Sequence, residues 1–84
     1  MNTRFLTKTI LENFSQYLVL EEKSTATVEK YLGDARAFLV YAGQQNVTKE
    51  LMMAYKNSLI EKGYAVRSIN SMLASLNSLL NFLG

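Results

Sequence analysis

The sequence contains no cysteine, no histidine, no proline and no tryptophan, and these absences exclude whole classes of structure and chemistry. Without cysteine there is neither a disulfide framework nor a thiolate metal site. Without histidine the chain lacks the commonest metal ligand and the commonest general base. Its seven carboxylates are spread along the chain without an obvious acid–base pair. We therefore expect no self-contained enzyme, no metal site and no cofactor.

Length, charge and hydropathy set further bounds. A chain of 84 residues is expected to form one domain with a modest core. Nine basic and seven acidic residues give a net charge of +2 and a pI near 9.0, which permits nucleic-acid binding without demanding it. No apolar run reaches the roughly 18 residues that a membrane span needs, and no signal-type apolar segment follows the charged N-terminus. We expect a cytoplasmic protein without membrane association.

Apolar residues recur at three- and four-residue steps along the chain, a pattern that predicts an all-α fold of four helices. The first is predicted over residues 10–21, where Thr9 and Glu12 have capping-box spacing. The second follows a cap at Ser24 or Thr25 and ends near residue 42, before Gly43. The third follows Thr48 and ends before Gly63, and the fourth covers residues 65–83. Residues 1–8 are predicted to be a loosely ordered lead-in to a single domain over residues 9–84.

The fourth helix separates its residues most cleanly into two faces. Its polar face consists of short side chains, although serine and asparagine are mediocre helix formers. This face is either a solvated surface of indifferent composition or a surface that meets polar edges or phosphates at close range. Its apolar stripe contains Ile69, Met72, Leu73, Leu76, Leu79, Leu80 and Leu83, and its polar residues include Arg67, Asn70, Ser71, Ser75, Asn77, Ser78 and Asn81.

The second helix has a comparable division. Its predicted core stripe comprises Val28, Tyr31, Leu32, Ala35, Phe38, Leu39 and Ala42. On its far side Lys30 stands among Ala26, Gly33 and Ala37, which have almost no side chain. Glycine costs about 1 kcal/mol relative to alanine in a helix interior. Either another surface approaches Gly33 closely or the chain simply tolerates a suboptimal residue. For the third helix the predicted inner side contains Leu51, Met52, Tyr55, Leu59 and Ile60.

Two segments together resemble a known family. Residues 23–41 read KSTATVEKYLGDARAFLVY, and residues 63–83 read GYAVRSINSMLASLNSLLNFL. They are similar to the two ends of the core-binding domain, or integrase SAM-like N-terminal domain, of tyrosine recombinases and phage integrases. The resemblance extends from about residue 11 to residue 83. The matching positions are Ser24, Thr27, Tyr31, Asp34 and Phe38 in the first segment, and Gly63, Ser68, Ile69, Asn70, Leu73, Leu76, Phe82 and Leu83 in the second.

The resemblance implies a SAM-like, compact four-helix orthogonal bundle that forms half of a clamp around a recombination site. Helices two and four would enter the major groove. Lys30 and Arg67 would then neutralise phosphates, and Asn70 would bridge an adenine edge. Alternatively, Ser24 is only a helix cap and Thr27 bonds only within its own turn. The implied DNA contacts are Lys23, Ser24, Thr27, Lys30, Arg67, Ser68, Asn70, Ser71 and Ser75.

The same resemblance implies the partners: double-stranded DNA, a C-terminal catalytic domain outside this chain, and neighbouring recombinase protomers on DNA. The tyrosine nucleophile would belong to that catalytic domain. If the first helix contacts a neighbouring protomer, then Phe5, Phe14 or Leu20 should be only partly buried. Ser71, Met72, Asn77 and Asn81 stand where many family members carry basic residues, so we expect weak, weakly salt-dependent DNA binding in which Lys30 approaches the duplex most closely. The alternative function is a helical protein–protein interaction module that does not bind DNA.

Overall fold

The computed structural model describes residues 3–43, 45 and 47–83. Within these residues there is no strand, and the helices are α1 (Thr3–Leu20), α2 (Thr25–Ala42), α3 (Lys49–Glu61) and α4 (Val66–Leu83). The molecule measures 34 × 33 × 18 Å. Its shortest dimension is about two helix diameters, so the helices are arranged in two layers. The prediction of an all-α, four-helix fold is confirmed.

Side-chain caps and glycines define the ends of α2 and α3 where the sequence predicts them. The Ser24 hydroxyl accepts the Thr27 amide hydrogen at 3.2 Å, and the Thr48 hydroxyl accepts that of Leu51 at 3.1 Å. These bonds satisfy amide hydrogens that lack a partner within the first turn. Gly43 (φ 59°) and Gly63 (φ 84°) follow the two helices in backbone conformations that favour glycine.

The predicted start of α1 is wrong. The helix begins at Thr3, well before residue 10, and Thr9 therefore lies inside it and does not cap it. No glycine or proline occurs between residues 3 and 10 to stop a helix there. The predicted lead-in of residues 1–8 thus overlaps the first turns of α1. At the other end, Glu22 takes a left-handed conformation (φ 61°) in the connection to α2.

All four helices contribute to one apolar core. The predicted stripe of α2 is confirmed, with five of its side chains buried and Tyr31 and Leu32 packed against them. Val47, just before the Thr48 cap, and Met52 also pack against this core. The buried apolar residues are Phe14, Leu18, Val28, Ala35, Phe38, Leu39, Ala42, Leu51, Tyr55, Leu59, Ile69, Leu76 and Leu79.

Two core predictions at the helix ends are wrong. Ile60 was expected inside but is 52% exposed, and Leu83 is 42% exposed. Of the three candidates for partial burial on the first helix, Phe14 has no exposed surface, because it lies against other aromatic rings of the core. The exposed position of Leu20, at 82%, agrees with expectation. The side chain of Phe5 lies outside those that the structure describes.

Phe82, next to Leu83, takes the inward position at the end of α4. Its ring centroid is 5.5 Å from that of Phe14 and 5.2 Å from that of Tyr17, and the Phe14 and Tyr17 rings are 6.2 Å apart. We call these three residues the aromatic cluster. Each such ring pair adds about 0.5–1.5 kcal/mol beyond the burial of its apolar area. The cluster therefore ties α1 to the C-terminal end of α4.

The exposed face of α2 is open around Gly33. A methyl group added at Gly33 would meet no atom within 4 Å, so no part of the described chain requires glycine there. In the part of the chain that the structure describes, no helix is long and apolar enough to cross a bilayer.

Candidate functional site

The first turns of α4 and the middle of α2 line an open cleft of about 360 Å³. Four of the residues predicted to contact DNA meet in this cleft, namely Lys30, Arg67, Ser68 and Ser71, and Asp34 and Met72 complete its lining. We call it the α2–α4 cleft. Its two cations and one carboxylate leave it with a positive charge.

A hydrogen-bonded network holds the floor of the cleft together. The Lys30 ammonium lies 2.6 Å from Oδ2 of Asp34 and forms an ion pair with it. The Ser75 hydroxyl donates to the same Oδ2 at 2.7 Å. We call these three residues the Lys30–Asp34–Ser75 network. It joins α2 to α4 across more than 40 positions of sequence.

Local helix geometry explains why these groups meet. Lys30 and Asp34 are four residues apart on α2, and this spacing places two side chains on one face. Ser75 has no exposed surface and is the one buried polar residue among those described. A buried hydroxyl needs a hydrogen-bond partner, and Asp34 provides it from the neighbouring helix.

The burial of Ser75 corrects its predicted role. The sequence places Ser75 on the polar face of the fourth helix, among residues expected to contact DNA. A side chain without exposed surface cannot contact a duplex in this conformation, and the Ser75 hydroxyl instead bonds to Asp34 on α2. Sequence reasoning missed Asp34 as a member of the site, although its four-residue spacing from Lys30 indicates an ion pair.

At the start of α2 the local hydrogen bonds predicted for Ser24 and Thr27 are present. Ser24 caps the helix, and its hydroxyl also donates to Oγ1 of Thr27 at 2.9 Å. Both side chains are therefore engaged within their own turn. Lys23 is exposed beside them. On α4, Asn70 is also exposed but does not line the cleft.

Hydrogen-bond donors predominate among the side chains that line the cleft. Among the residues that the structure describes, no three potential metal ligands lie together. Burial raises the pKa of Tyr55, on α3, and the negative charges of ionised Tyr64 and of Asp34 raise it further. The shift favours the protonated phenol, whereas activation of a nucleophile would need a lowered pKa. Cations, hydroxyl groups and an amide are the groups that contact phosphates and base edges.

Comparison of the sequence with known proteins identifies the family of this chain. The family model described as "Phage integrase, N-terminal SAM-like domain" matches residues 11–84. The chain belongs to that family. This SAM-like domain is 33% identical over 84 residues to "Tyrosine recombinase XerA" of Pyrococcus furiosus, covering 100% of this chain and 29% of the relative. It is 32% identical over 75 residues to the protein of the same name from Thermococcus kodakarensis, covering 89% of this chain and 26% of the relative.

The SAM-like domain thus spans less than a third of the length of these curated relatives. No solved structure matches it. The family membership agrees with the resemblance of residues 23–41 and 63–83, and these two segments contain all the residues that line the α2–α4 cleft.

Proposed function

We propose that this chain is the DNA-binding N-terminal module of a site-specific tyrosine recombinase, with catalysis in a domain outside it. One observation carries the proposal: the α2–α4 cleft brings Lys30 and Arg67 together with the hydroxyl-bearing residues Ser68 and Ser71 on an open surface. Double-stranded DNA, the catalytic domain and neighbouring protomers are the proposed partners, and the cytoplasm is the proposed location.

The composition of the cleft suits a phosphate backbone. Arg67 is exposed and projects from the first turn of α4, where a guanidinium can form two parallel hydrogen bonds to one phosphate. Ser68 is exposed next to it and can donate a further bond. Contacts of this kind fix the position of a protein on the duplex and carry no sequence information of their own.

Residues outside the cleft extend the proposed surface along both helices. Lys23 and Ser24 lie at the N-terminal end of α2, where the helix dipole favours an anion, and Thr27 follows one turn later. Asn70, exposed on α4, has the paired donor and acceptor that an adenine edge requires. Base readout in this proposal therefore depends chiefly on α4, and positioning on both helices.

The proposed surface has few cations, so we expect shallow salt dependence. Each neutralised phosphate adds about −0.9 to the slope of log K against log salt concentration. Lys23, Lys30 and Arg67 are the three cations of the proposed surface, and Lys30 is already paired with Asp34. We therefore expect a slope between about −2 and −3.

Fluorescence anisotropy with a labelled short duplex, measured between about 50 and 200 mM salt, tests the proposal. Arg67→Ala should weaken binding about fivefold, the upper range for an exposed ion pair, and by a similar factor for unrelated sequences. Lys49→Ala is the matched control, because Lys49 is an exposed cation on α3, outside the cleft. Equal effects of the two substitutions would contradict the proposed surface.

A protein-interaction module is the second proposal, and exposed apolar side chains favour it. Val19 and Leu20, adjacent at the end of α1, are 61% and 82% exposed. Val40 on α2 and Val66 on α4 are each 73% exposed. Strong self-association in sedimentation velocity, together with no duplex binding even at low salt, would favour this function over the first.

A further inference from the structure

We propose that Asp34 competes with DNA phosphates for Lys30, so that duplex binding must displace the carboxylate from the ammonium. The inference rests on the proposed function and assigns to Asp34 a role in setting the affinity of that site. Asp34 is a positioning residue here: it acts on DNA through Lys30.

The hydrogen-bond capacity of Lys30 supports this competition. An ammonium group has three donors. Its nitrogen lies 2.6 Å from Oδ2 of Asp34, 3.4 Å from the Ser71 carbonyl oxygen and 3.4 Å from the Ser75 hydroxyl oxygen. Three protein acceptors therefore surround the ammonium, and a phosphate oxygen that approaches it must replace at least one of them.

Ser75 holds the Asp34 carboxylate in the position from which it competes with phosphates for Lys30. Its hydroxyl donates to the same Oδ2 that accepts from Lys30, at 2.7 Å, and Ser75 itself cannot move outward because it is fully buried. The Asp34 side chain is 20% exposed, whereas that of Lys30 is 45% exposed. The anion is thus held on the floor of the cleft, and the longer cation is the partner that can turn towards a phosphate.

Asp34→Asn tests this inference by removing the charge while keeping the shape and an oxygen that accepts from Ser75. We expect duplex affinity to rise about threefold to fivefold, the upper part of the range for an exposed ion pair, and the salt slope to become steeper by about 0.9, because Lys30 then neutralises a phosphate. Glu29→Gln is the matched control, since Glu29 is an exposed carboxylate beside Lys30 on α2. Its removal changes the net charge equally and should leave the salt slope unchanged.

The same substitution in a Lys30→Ala background separates competition from simple charge repulsion. If Asp34 acts through Lys30, Asp34→Asn changes the salt slope only when Lys30 is present. An unchanged slope in both backgrounds, or weaker binding by Asp34→Asn, overturns the inference and leaves the proposed function intact. No duplex binding by the wild type or any variant overturns the proposed function, and this inference with it.

A measurement on the wild type avoids dependence on the folding of any variant. The carboxyl carbon resonance of Asp34 is followed by NMR while the short duplex is added. Departure of Lys30 should shift this resonance in proportion to the bound fraction. A resonance that does not move while the Arg67 guanidinium signals change would show that DNA binds without displacing the carboxylate, and would overturn the inference.

Discussion

α4 belongs to two contact regions of opposite character. Near its C-terminal end Phe82 joins the aromatic cluster, in which three rings lie within 6.2 Å of one another. Near its start Arg67, Ser68 and Ser71 line the α2–α4 cleft, and Ser75 is bonded to Asp34 beneath it. The first region is held by apolar packing and the second by charge-assisted hydrogen bonds. The aromatic end of this helix therefore contributes chiefly to stability, whereas the exposed residues of the cleft are expected to contribute chiefly to the proposed DNA binding.

The largest expected effect is on the aromatic cluster. Phe14→Ala should lower the free energy of unfolding by about 3–5 kcal/mol, because it leaves a cavity against Tyr17 and Phe82. A chain of 84 residues has roughly 4–13 kcal/mol in total, so this loss is a large fraction of the stability. Urea unfolding followed by circular dichroism measures the loss. Leu20→Ala, at an 82% exposed position of the same helix, is the control and should stay within about 0.5 kcal/mol.

A smaller loss of stability is expected in the Lys30–Asp34–Ser75 network. Ser75→Ala removes the hydroxyl donor to Oδ2 of Asp34, and we expect a loss of about 1–2 kcal/mol. Lys30 remains as a donor to the carboxylate, which keeps the loss at this lower range. Ser68→Ala, an exposed serine of the cleft, is the control. Equal urea midpoints for the two variants would show that the buried bond contributes nothing to stability.

Gly33→Ala should raise stability, and its effect on DNA binding decides between the two explanations of this glycine. Alanine meets open space there, so we expect a gain of about 0.5–1 kcal/mol. If a duplex approaches α2 closely at this point, the added methyl group will weaken DNA binding while the urea midpoint rises. Unchanged binding with higher stability would mean that the glycine is merely tolerated.

The smallest effect concerns alkaline pH. The pKa of Tyr55 is raised above 10.0, first by burial and then by the negative charges of ionised Tyr64 and of Asp34. The folded protein therefore holds this proton more tightly than the unfolded chain, so the associated stability is present below pH 10 and is lost as pH rises through the folded pKa. Urea unfolding on either side of pH 10 should show a smaller decline for Tyr55→Phe than for the wild type. Equal declines would contradict the shift.

Periodicity and helix-end signals predicted the interior of this fold well. The apolar stripe of α2 and the caps Ser24 and Thr48 were identified because each depends on residues within one or two helical turns. Predictions failed where a neighbouring helix decides the outcome. Ile60 fits the apolar period of α3, yet it is exposed. Periodicity could not predict this, because it does not show which part of a helix a neighbouring helix covers.

The residues of the candidate site could also be predicted only in part, because local patterns do not reveal partners on another helix. Polar residues of the second and fourth helices indicated a binding surface, and four of them do line the α2–α4 cleft. Ser75 was placed on this surface because it falls outside the apolar stripe of the fourth helix and the family resemblance implied a contact there. Its burial depends on an acceptor, Asp34, that lies 41 positions away in sequence, and no local pattern reveals such a distant partner.

The pairing of Phe14 with Phe82 also has a consequence for synthesis on the ribosome. The two rings, 5.5 Å apart in the folded molecule, are separated by 68 residues of chain (82 − 14). At about 5–20 residues per second, α1 waits roughly 3–14 seconds for its partner ring to be made. During that interval the apolar face of α1 lacks its final cover. The core of this fold therefore closes only when the last helix has been made.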